Sequence, residues 1–341
     1  MHDINRRIIL AARPGQGVRS TDFRFDTAPM PRPADGEVLL RTLWLSIDPY
    51  LLRVVKGVPG YDPAIGPGDV MYGRGIGEVV ESADPRFAPG DCVHLYQRWQ
   101  TWYAANANAL RKVDADRFPG SAYLGVLGQS GLTAWAGLLD GGRPRPGQTV
   151  AVSSAAGVVG SLVGQIAKIT GCRAVGIAGG PEKCRHVVED LGFDACVDYK
   201  SPRFAEELRA ALPGGADVHF ENVGGAVLDA MLPCMARRGR VVLCGLIAHY
   251  DDSPLVIRNS AWLLTNTLSI EAFSVFDHLH RMDECIEQLG RWILDGRLKY
   301  RETIAEGFDS APRAMVDMFA GRVLGKQVVR VAQRAGAPAQ D

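Results

Sequence analysis

The chain has 341 residues, of which 47% are hydrophobic and 22% are charged, and its 38 Lys and Arg residues balance 38 Asp and Glu residues. This composition is typical of globular proteins, and the length is sufficient for two domains. A net charge of zero without a basic run argues against nucleic acid as a partner. Seven scattered cysteines favour a reducing, cytoplasmic compartment, and the N-terminus is not expected to be a signal peptide.

Short β-rich runs bounded by proline and glycine fill the N-terminal third of the chain. They cover residues 37–47, 75–81 and 91–96. Strands of this length and punctuation are typical of an antiparallel, barrel-like domain. A last run at 326–331 is expected to return to this domain, and residues 332–341 are expected to form a frayed tail.

In the middle of the chain, apolar strands alternate with helical segments. The predicted strands are Thr149–Ser153, Arg173–Ala178, 194–198, Ala216–Glu221, 240–244 and 268–273, and the predicted helices are 157–170, 182–191, 204–212 and 226–235. This alternation predicts an α/β fold with a Rossmann-type, doubly wound parallel sheet, whose ligands bind at the carboxyl ends of the strands. The chain is therefore divided into a catalytic β-rich domain at 1–125, a nucleotide-binding domain at 126–300, and a return to the first domain at 301–331.

The turn after the first of these strands has the form Ala155-x-Gly157-x-x-Gly160, a dinucleotide-binding fingerprint with alanine at its first glycine position. Gly157 would let the backbone approach a pyrophosphate, and Gly160 would let the helix lie close to the strand. Val158 and Val159 open the helix, whose free N–H groups favour phosphate. A buried strand and helix that need only small residues would show the same spacing, but the strands and helices that follow favour a nucleotide site.

The end of the second strand bears on the choice of cofactor. An NAD site usually carries an acidic residue there to bind the ribose 2′-hydroxyl. This chain has Ala178-Gly179-Gly180 instead, followed by Lys183. A cation at that place favours a 2′-phosphate and hence NADP(H), and Arg185 could contribute. Two alternatives stay open: Glu182 could face the ribose, and Lys183 could be a solvated helix residue.

With these motifs in order, the chain resembles the zinc-independent medium-chain dehydrogenases/reductases, in particular the branch of leukotriene B4 dehydrogenase, prostaglandin reductase and alkenal double-bond reductase. The motifs are SIDPY at 46–50, GQSGLTA at 128–134, the fingerprint and its helix at 155–168, GIAGG and EKC within 176–184, LGFD at 191–194, DYK at 198–200, ENVGG at 221–225, CGLI and Tyr250 within 244–250, and GK at 325–326. The resemblance implies a GroES-like, barrel-like catalytic domain with the nucleotide domain inserted into it. It also implies a homodimer in which the two nucleotide-domain sheets join edge to edge.

Zinc-using relatives carry a His-Glu pair where this chain has Gly73-Arg74-Gly75, and they have a lobe of four cysteines that is missing here. Zinc needs three or four Cys, His or carboxylate ligands. Cys92 and His94, two residues apart on a predicted strand, would make half a site at best. We therefore predict no metal.

The resemblance implies reduction of the C=C bond of an α,β-unsaturated aldehyde or ketone. Hydride addition leaves negative charge on the carbonyl oxygen, and a hydroxyl aimed at that oxygen can stabilise it and supply a proton. The resemblance assigns this role to Tyr250 and places Tyr50 on the wall of the substrate pocket. From the residues alone, Tyr250 could be an exposed loop side chain and Tyr50 a core aromatic.

The resemblance also assigns cofactor contacts. Lys183 and Tyr199 would lie at the 2′-phosphate, and Asn222 would contact the ribose or the pyrophosphate, beside the turn formed by Gly157 and Gly160. The set is completed by Gly180, Cys244, Gly245 and Tyr250.

Two departures from the pattern bear on the substrate. Relatives usually end in Gly-x-Asn-x-Gly-Lys, whereas this chain has Val323 in place of the Asn, so that either one contact is lost or a group such as Arg322 replaces it. Arg53 is displaced by one residue from its usual distance to the Asp-Pro-Tyr motif.

Three functions follow as hypotheses. The first is an NADPH-dependent reductase of enals and enones. The second is an NADPH quinone reductase or an alcohol/ketone oxidoreductase, against which the motif from Cys244 to Tyr250 and the missing zinc ligands argue respectively. The third is a nucleotide-binding regulator without catalytic activity.

Overall fold

The computed structural model describes residues 4–58 and 65–335, and these fall into two compact units. The first unit takes in the described residues up to Leu124, then Glu302–Val323 and the residues from Gln327 onward. The second unit consists of Gly125–Arg301 and Leu324–Lys326.

The first unit is built from antiparallel strands. Its elements before residue 125 are β1 (Ile4–Leu10), β2 (Phe23–Pro29), β3 (Glu37–Ile47), α1 (Leu51–Lys56), β4 (Tyr72–Ser82), β5 (Cys92–Arg98), β6 (Trp102–Asn106) and β7 (Arg111–Val113). The long strand β3 pairs with both β4 and β6, and it is buried on both faces. Val38 and Leu40 pack in one apolar cluster and Leu45 and Ile47 in another, because the register shifts between the two halves of the strand.

The second unit holds a parallel sheet with helices. Its elements are α2 (Gln129–Ala136), β8 (Thr149–Ser153), α3 (Val158–Ile169), β9 (Arg173–Ala178), α4 (Pro181–Arg185), β10 (Ala195–Asp198), α5 (Phe204–Ala211), β11 (Ala216–Glu221), α6 (Gly225–Met231), β12 (Met235–Leu243), α7 (Ala261–Thr265), β13 (Ser269–Ala272) and α8 (Met282–Leu294). The strand order is β10-β9-β8-β11-β12-β13. The order reverses beside β8, and this switch point is where ligands of such sheets bind. The predicted α/β fold is confirmed.

One predicted boundary is wrong. The helix predicted at 226–235 ends at Met231, and β12 begins at Met235, five residues before the predicted strand. Pro233 lies in the 3₁₀ turn between them. Proline has no N–H to donate and cannot continue an α-helix, so the chain turns into the strand early.

The chain then returns to the first unit through β14 (Glu302–Glu306), α9 (Ala311–Phe319) and β15 (Lys326–Arg330). Gln327 of β15 pairs with Ile47 of β3, so the last strand joins the first sheet. The described part of the predicted tail is held rather than frayed, because the Ala335 N–H donates to Glu78 at 2.9 Å. Residues 336–341 lie outside the described residues. No helix in the described part of the chain is long and apolar enough to cross a bilayer.

Candidate cofactor and substrate sites

The fingerprint turn closes tightly on itself at the end of β8. Ser154 has a positive φ of 54°, and its carbonyl accepts the Gly157 N–H at 2.9 Å. A Cβ on Gly160 would lie 2.3 Å from that same carbonyl oxygen, so only glycine fits there. α3 begins at Val158, and the N–H groups of its first turn have no partner within the helix. The turn is therefore a cradle for an anion, at the place where the fingerprint predicted a pyrophosphate.

A second glycine segment lies against this turn. The Gly325 N–H donates to the Ala156 carbonyl at 2.9 Å, and Gly325 pairs with Gly157 in an isolated parallel bridge. Gly325 has a φ of 69°, and a Cβ there would meet the Arg301 carbonyl at 2.0 Å. The end of the Gly-x-x-x-Gly-Lys motif thus completes the cradle.

Arg322, the group named as a possible replacement for the missing Asn, is paired within the first unit. Its guanidinium donates to Asp317 through both Nε, at 2.9 Å, and Nη2, at 2.5 Å. Both residues lie in the first unit, and the pair accounts for the charge of Arg322. Val323 can offer no side-chain hydrogen bond in its place.

Two lysines face each other at the ends of β9 and β10. Burial first, and then repulsion from Lys200, lower the pKa of Lys183. Within residues 4–58 and 65–335, neither lysine has an ion pair with a carboxylate. Tyr199 directly precedes Lys200 in the chain. Its ring packs on Gly179, where a Cβ would come within 2.7 Å of the ring. An anion bound here would offset the repulsion, as a 2′-phosphate does.

The Asp198 carboxylate fixes the backbone of this lysine pair. One of its oxygens accepts the Gly180 N–H at 2.8 Å and the Lys200 N–H at 2.9 Å. Gly180 has a φ of 98°, which glycine adopts without strain. The loop after β9 and the loop after β10 are thereby held together. Lys200 was missed by the sequence prediction, although it directly follows Tyr199 in the quoted DYK motif.

A fully buried network orients Asn222 at the end of β11. Glu221 accepts the Ser153 hydroxyl at 2.6 Å and His219 Nε2–H at 2.7 Å, and all three side chains are buried. Burial alone would raise the pKa of Glu221, but the attraction of His219 and the hydrogen bonds hold it below its usual value. Asn222 donates from Nδ2 to the Ser153 carbonyl at 2.8 Å. The network was not predicted, and it ties Asn222 to the strand that precedes the fingerprint turn.

The segment after β12 lies against Asn222. A Cβ on Gly245 would be 3.1 Å from the Asn222 carbonyl, and the Ile247 N–H donates to that carbonyl at 3.3 Å. Tyr250 ends the 3₁₀ turn that begins at Ile247, and it is half-buried. Burial, and secondly Glu221, raise the pKa of Cys244 to about 12, so this thiol stays neutral.

Tyr50 belongs to the first unit, where it caps the start of α1. Its ring stacks on the guanidinium of Arg74, with the Arg74 Cζ 5.8 Å from the ring centroid. Arg74 is almost fully buried and pairs with Asp48 at 2.6 Å. Burial by itself lowers the pKa of Arg74, and the attraction of Asp48 more than offsets it.

The two candidate metal ligands, Cys92 and His94, lie on β5, and His94 is close to Arg74. Burial, followed by repulsion from Arg74, lowers the pKa of His94 to about 3, and burial raises the pKa of Cys92. The described residues contain no group of three His, Cys, Asp or Glu side chains that could hold a metal ion.

The predicted cofactor residues thus form two clusters in the second unit. One surrounds the fingerprint turn and contains Gly157, Val158, Val159, Gly160, Asn222 and Gly245, with Cys244 and Tyr250 on the adjoining segment. The other contains Gly180, Lys183 and Tyr199, together with Lys200. The first cluster is at the ends of β8, β11 and β12, and the second is at the ends of β9 and β10.

Comparisons with known proteins identify the family of the chain. Residues 6–113 match the family described as N-terminal domain of oxidoreductase, and residues 158–293 match zinc-binding dehydrogenase. The chain is 40% identical to NADPH-dependent curcumin reductase of Escherichia coli (strain K12), covering 96% of this chain and 97% of that protein. It is 38% identical to 2-alkenal reductase (NADP(+)-dependent) of Nicotiana tabacum, covering 87% and 88%.

Among solved structures, CurA from Vibrio vulnificus in complex with NADPH superposes with a TM-score of 0.91 and is 38% identical, covering 96% of this chain and 99% of that one. Quinone oxidoreductase of Escherichia coli, at 19% identity and a TM-score of 0.78, shares the fold alone. The chain therefore belongs to the medium-chain dehydrogenases/reductases, in the zinc-independent branch of the alkenal and prostaglandin reductases.

Proposed function

We propose that this chain is an NADPH-dependent reductase of the C=C bond in α,β-unsaturated aldehydes and ketones, and that it works without a metal. The observation that carries the proposal is the Lys183–Lys200 pair, two cations at the ends of β9 and β10 that form no ion pair with a carboxylate among the described residues. It is supported by relatives of 38–40% identity that are named as NADPH- or NADP(+)-dependent reductases.

The residues present fit this cofactor. The glycine cradle at Gly157 and Gly160 would hold the pyrophosphate, and Lys183, Tyr199 and Lys200 would hold the 2′-phosphate. The Asn222 side chain, fixed through Ser153, still has one Nδ2 hydrogen and its Oδ1 to offer to the ribose. When bound, the reduced nicotinamide supplies the hydride.

Tyr250 is proposed as the donor to the substrate. As the β-carbon accepts hydride, negative charge develops on the carbonyl oxygen, and the α-carbon later needs a proton. A phenol can stabilise the first and supply the second, and such a donor lowers the barrier by about 3 kcal/mol. The 3₁₀ turn anchored to Asn222 would hold the Tyr250 backbone in place.

Tyr50 is proposed to line the substrate pocket of the catalytic domain. Arg74 stacks under its ring, and Asp48 holds Arg74 in place. A cation on the ring face fixes the plane of the phenol. Here the permanent charge of an arginine takes the place that zinc-using relatives give to metal ligands. The two compact units would correspond to the substrate-binding and the cofactor-binding domain.

The proposal is tested by offering the purified chain NADPH with an enone, a quinone or a ketone, and following the absorbance of the reduced nicotinamide. Enone reduction is expected. Tyr250→Phe should lower kcat by about a hundredfold, because one donor to the oxyanion is removed. Tyr103→Phe, whose ring packs on the apolar cluster of the first unit, is the matched control and should leave kcat unchanged.

Each other outcome points to a different function. Oxidation of NADPH by the quinone alone would favour the quinone reductase, and oxidation by the ketone alone would favour the alcohol/ketone oxidoreductase. Binding of NADPH with no oxidation by any of the three would favour the nucleotide-binding regulator. Undiminished enone turnover in Tyr250→Phe would remove the proton-donor assignment.

We further propose a cytoplasmic homodimer. All seven cysteines are free thiols, in keeping with a reducing compartment. The edge strand β13 is exposed along its whole length, with Ile270 39% exposed, and Leu264 of the preceding helix α7 is 86% exposed. An exposed edge strand favours pairing with a second copy. Sedimentation velocity should give the dimer mass and Ile270→Lys the monomer mass, whereas a monomeric unmodified chain would contradict the proposal.

A further inference from the structure

Two cysteines that the proposed reaction does not use lie side by side in the second unit. Cys184 is in α4, directly after Lys183, and Cys196 is in β10, three residues before Tyr199. The two thiols are close enough to influence each other's ionisation. Both residues line one open cavity of about 450 Å³, together with Asp198. Neither cysteine is fully buried, so a small reagent can reach the pair.

The neighbouring strand leaves room for this thiol pair. Cys196 is the cross-strand neighbour of Gly176 in β9. A Cβ on Gly176 would lie 3.2 Å from the Cys196 Sγ and 2.9 Å from the Val187 Cγ1. The Cys196 thiol therefore lies on the side of the sheet that α4 covers, and this side is where Cys184 meets it.

The two thiols are chemically unequal. The interaction between the two thiols lowers the pKa of Cys184, and the same interaction, reinforced by burial, raises the pKa of Cys196. The thiolate is the reactive form of cysteine. By contrast, burial raises the pKa of Cys92, Cys172 and Cys234. Cys184 is thus suited to attack an oxidant, and Cys196 to resolve the product.

We propose that Cys184 and Cys196 are a reversible redox site, closed to a disulfide by a hydroperoxide and opened by an external dithiol. The Cys184 sulfur takes one oxygen from the hydroperoxide, which leaves as an alcohol or as water, and becomes a sulfenic acid. The Cys196 sulfur then forms the S–S bond and expels the oxygen as a second water. Two thiols and one hydroperoxide therefore give one disulfide, one water and one alcohol or water. In reverse, the dithiol becomes oxidised as the two cysteines are reduced.

The position of the pair couples it to the phosphate site, and this step rests on the cofactor proposed above. A disulfide requires an S–S distance of about 2.05 Å with a restricted dihedral, which is shorter than any contact between two thiols that are not bonded. Closing it would draw the first turn of α4 toward β10 and so move Lys183 relative to Lys200. We expect the disulfide to weaken NADPH binding by about tenfold, through loss of a charge-assisted contact. By reciprocity, bound NADPH should protect the thiols by the same factor.

The experiment uses the purified full chain, reduced or treated with hydrogen peroxide. Peptide mapping by mass spectrometry without reductant should find Cys184 linked to Cys196, and dithiothreitol should remove the link. Calorimetry should show NADPH bound about tenfold more weakly by the oxidised chain. The affinity for NADH, which lacks the 2′-phosphate, should not change. Cys184→Ser and Cys196→Ser should abolish both effects, whereas Cys172→Ser, a buried thiol elsewhere, should keep them.

Two results would overturn the proposal. One is oxidation of Cys184 to a sulfinic acid without a link to Cys196. The other is a mapped link that leaves the affinity for NADPH unchanged. Failure of the reduced chain to bind NADPH would instead contradict the proposed function, and the mapped link would then still support the redox site, since its formation requires no cofactor.

Discussion

Arg74 in the first unit and the lysine pair in the second unit have opposite electrostatic surroundings. In the first unit, Arg74 is 5% exposed and pairs with Asp48 at 2.6 Å. In the second unit, Lys183 and Lys200 repel each other, and in the described part of the chain neither forms an ion pair with a carboxylate, although Glu182 weakly offsets the repulsion at Lys183. The pKa of Arg74 is raised above its usual value, whereas that of Lys183 is lowered.

The opposite pKa shifts distinguish Arg74, whose charge is neutralised within the fold, from Lys183, whose charge is not. Asp48 compensates the charge of Arg74, so the pair is complete in the folded chain. The lysine pair is electrostatically unfavourable by itself, and such sites are enriched in functional positions. Stability should therefore depend on the first group and cofactor affinity on the second.

The largest effect is expected from breaking the buried pair. Asp48→Asn leaves the Arg74 charge buried without its carboxylate, which should lower the free energy of unfolding by about 3–5 kcal/mol. Hydrogen exchange of the β3 and β4 amides in urea would report on this unit specifically. Lys183→Met is the control and should not lower the stability, because it removes a half-buried cation that is repelled by Lys200. Equal losses in the two variants would refute the distinction between the groups.

The next largest effect is on cofactor affinity. Lys183→Met should weaken NADPH binding by about 10- to 100-fold, because a charge-assisted contact to the phosphate is lost. The affinity for NADH should stay the same, and calorimetry with both nucleotides measures the difference. Lys168 lies in the same unit and already has a carboxylate, Asp194, at 2.7 Å. Lys168→Met should therefore leave NADPH binding unchanged, and an equal loss there would show that the effect is one of general charge.

The second unit was easier to predict than the first for a physical reason. The fingerprint at Gly157 and Gly160 reflects a local demand on the backbone, since a Cβ on Gly160 would clash at 2.3 Å. Lys183 follows the second strand within a few residues, so its place at the carboxyl edge could be read from the order of the elements. The error at 226–235 arose because the helical pattern was extended through Pro233.

The pair of Asp48 and Arg74 could not be predicted, because it depends on strand register. The two residues are brought together by the antiparallel pairing of β3 with β4, whose register shifts between Leu39 and Leu40 and between Thr42 and Trp44. A one-residue slip would turn Arg74 to the other face of the sheet. The buried network of Ser153, His219 and Glu221 was missed for a similar reason, since Ser153 lies 68 residues from Glu221.

The smallest effect is a shift in pH dependence at the lysine pair. Burial and Lys200 together lower the pKa of Lys183, so Lys183 loses its proton at a lower pH than an ordinary lysine. NADPH affinity should fall as the pH rises through this lowered pKa, because the neutral amine no longer attracts the phosphate. Lys200→Gln removes the repulsion but not the burial, so the alkaline fall in affinity should move to higher pH, even though affinity near neutrality is lower. Calorimetric titrations across the alkaline range, with Lys168→Gln as the matched control, would measure the shift. If the alkaline fall in NADPH affinity occurs at the same pH in Lys200→Gln, then burial alone sets the pKa of Lys183 and the two ammonium groups do not share one anion.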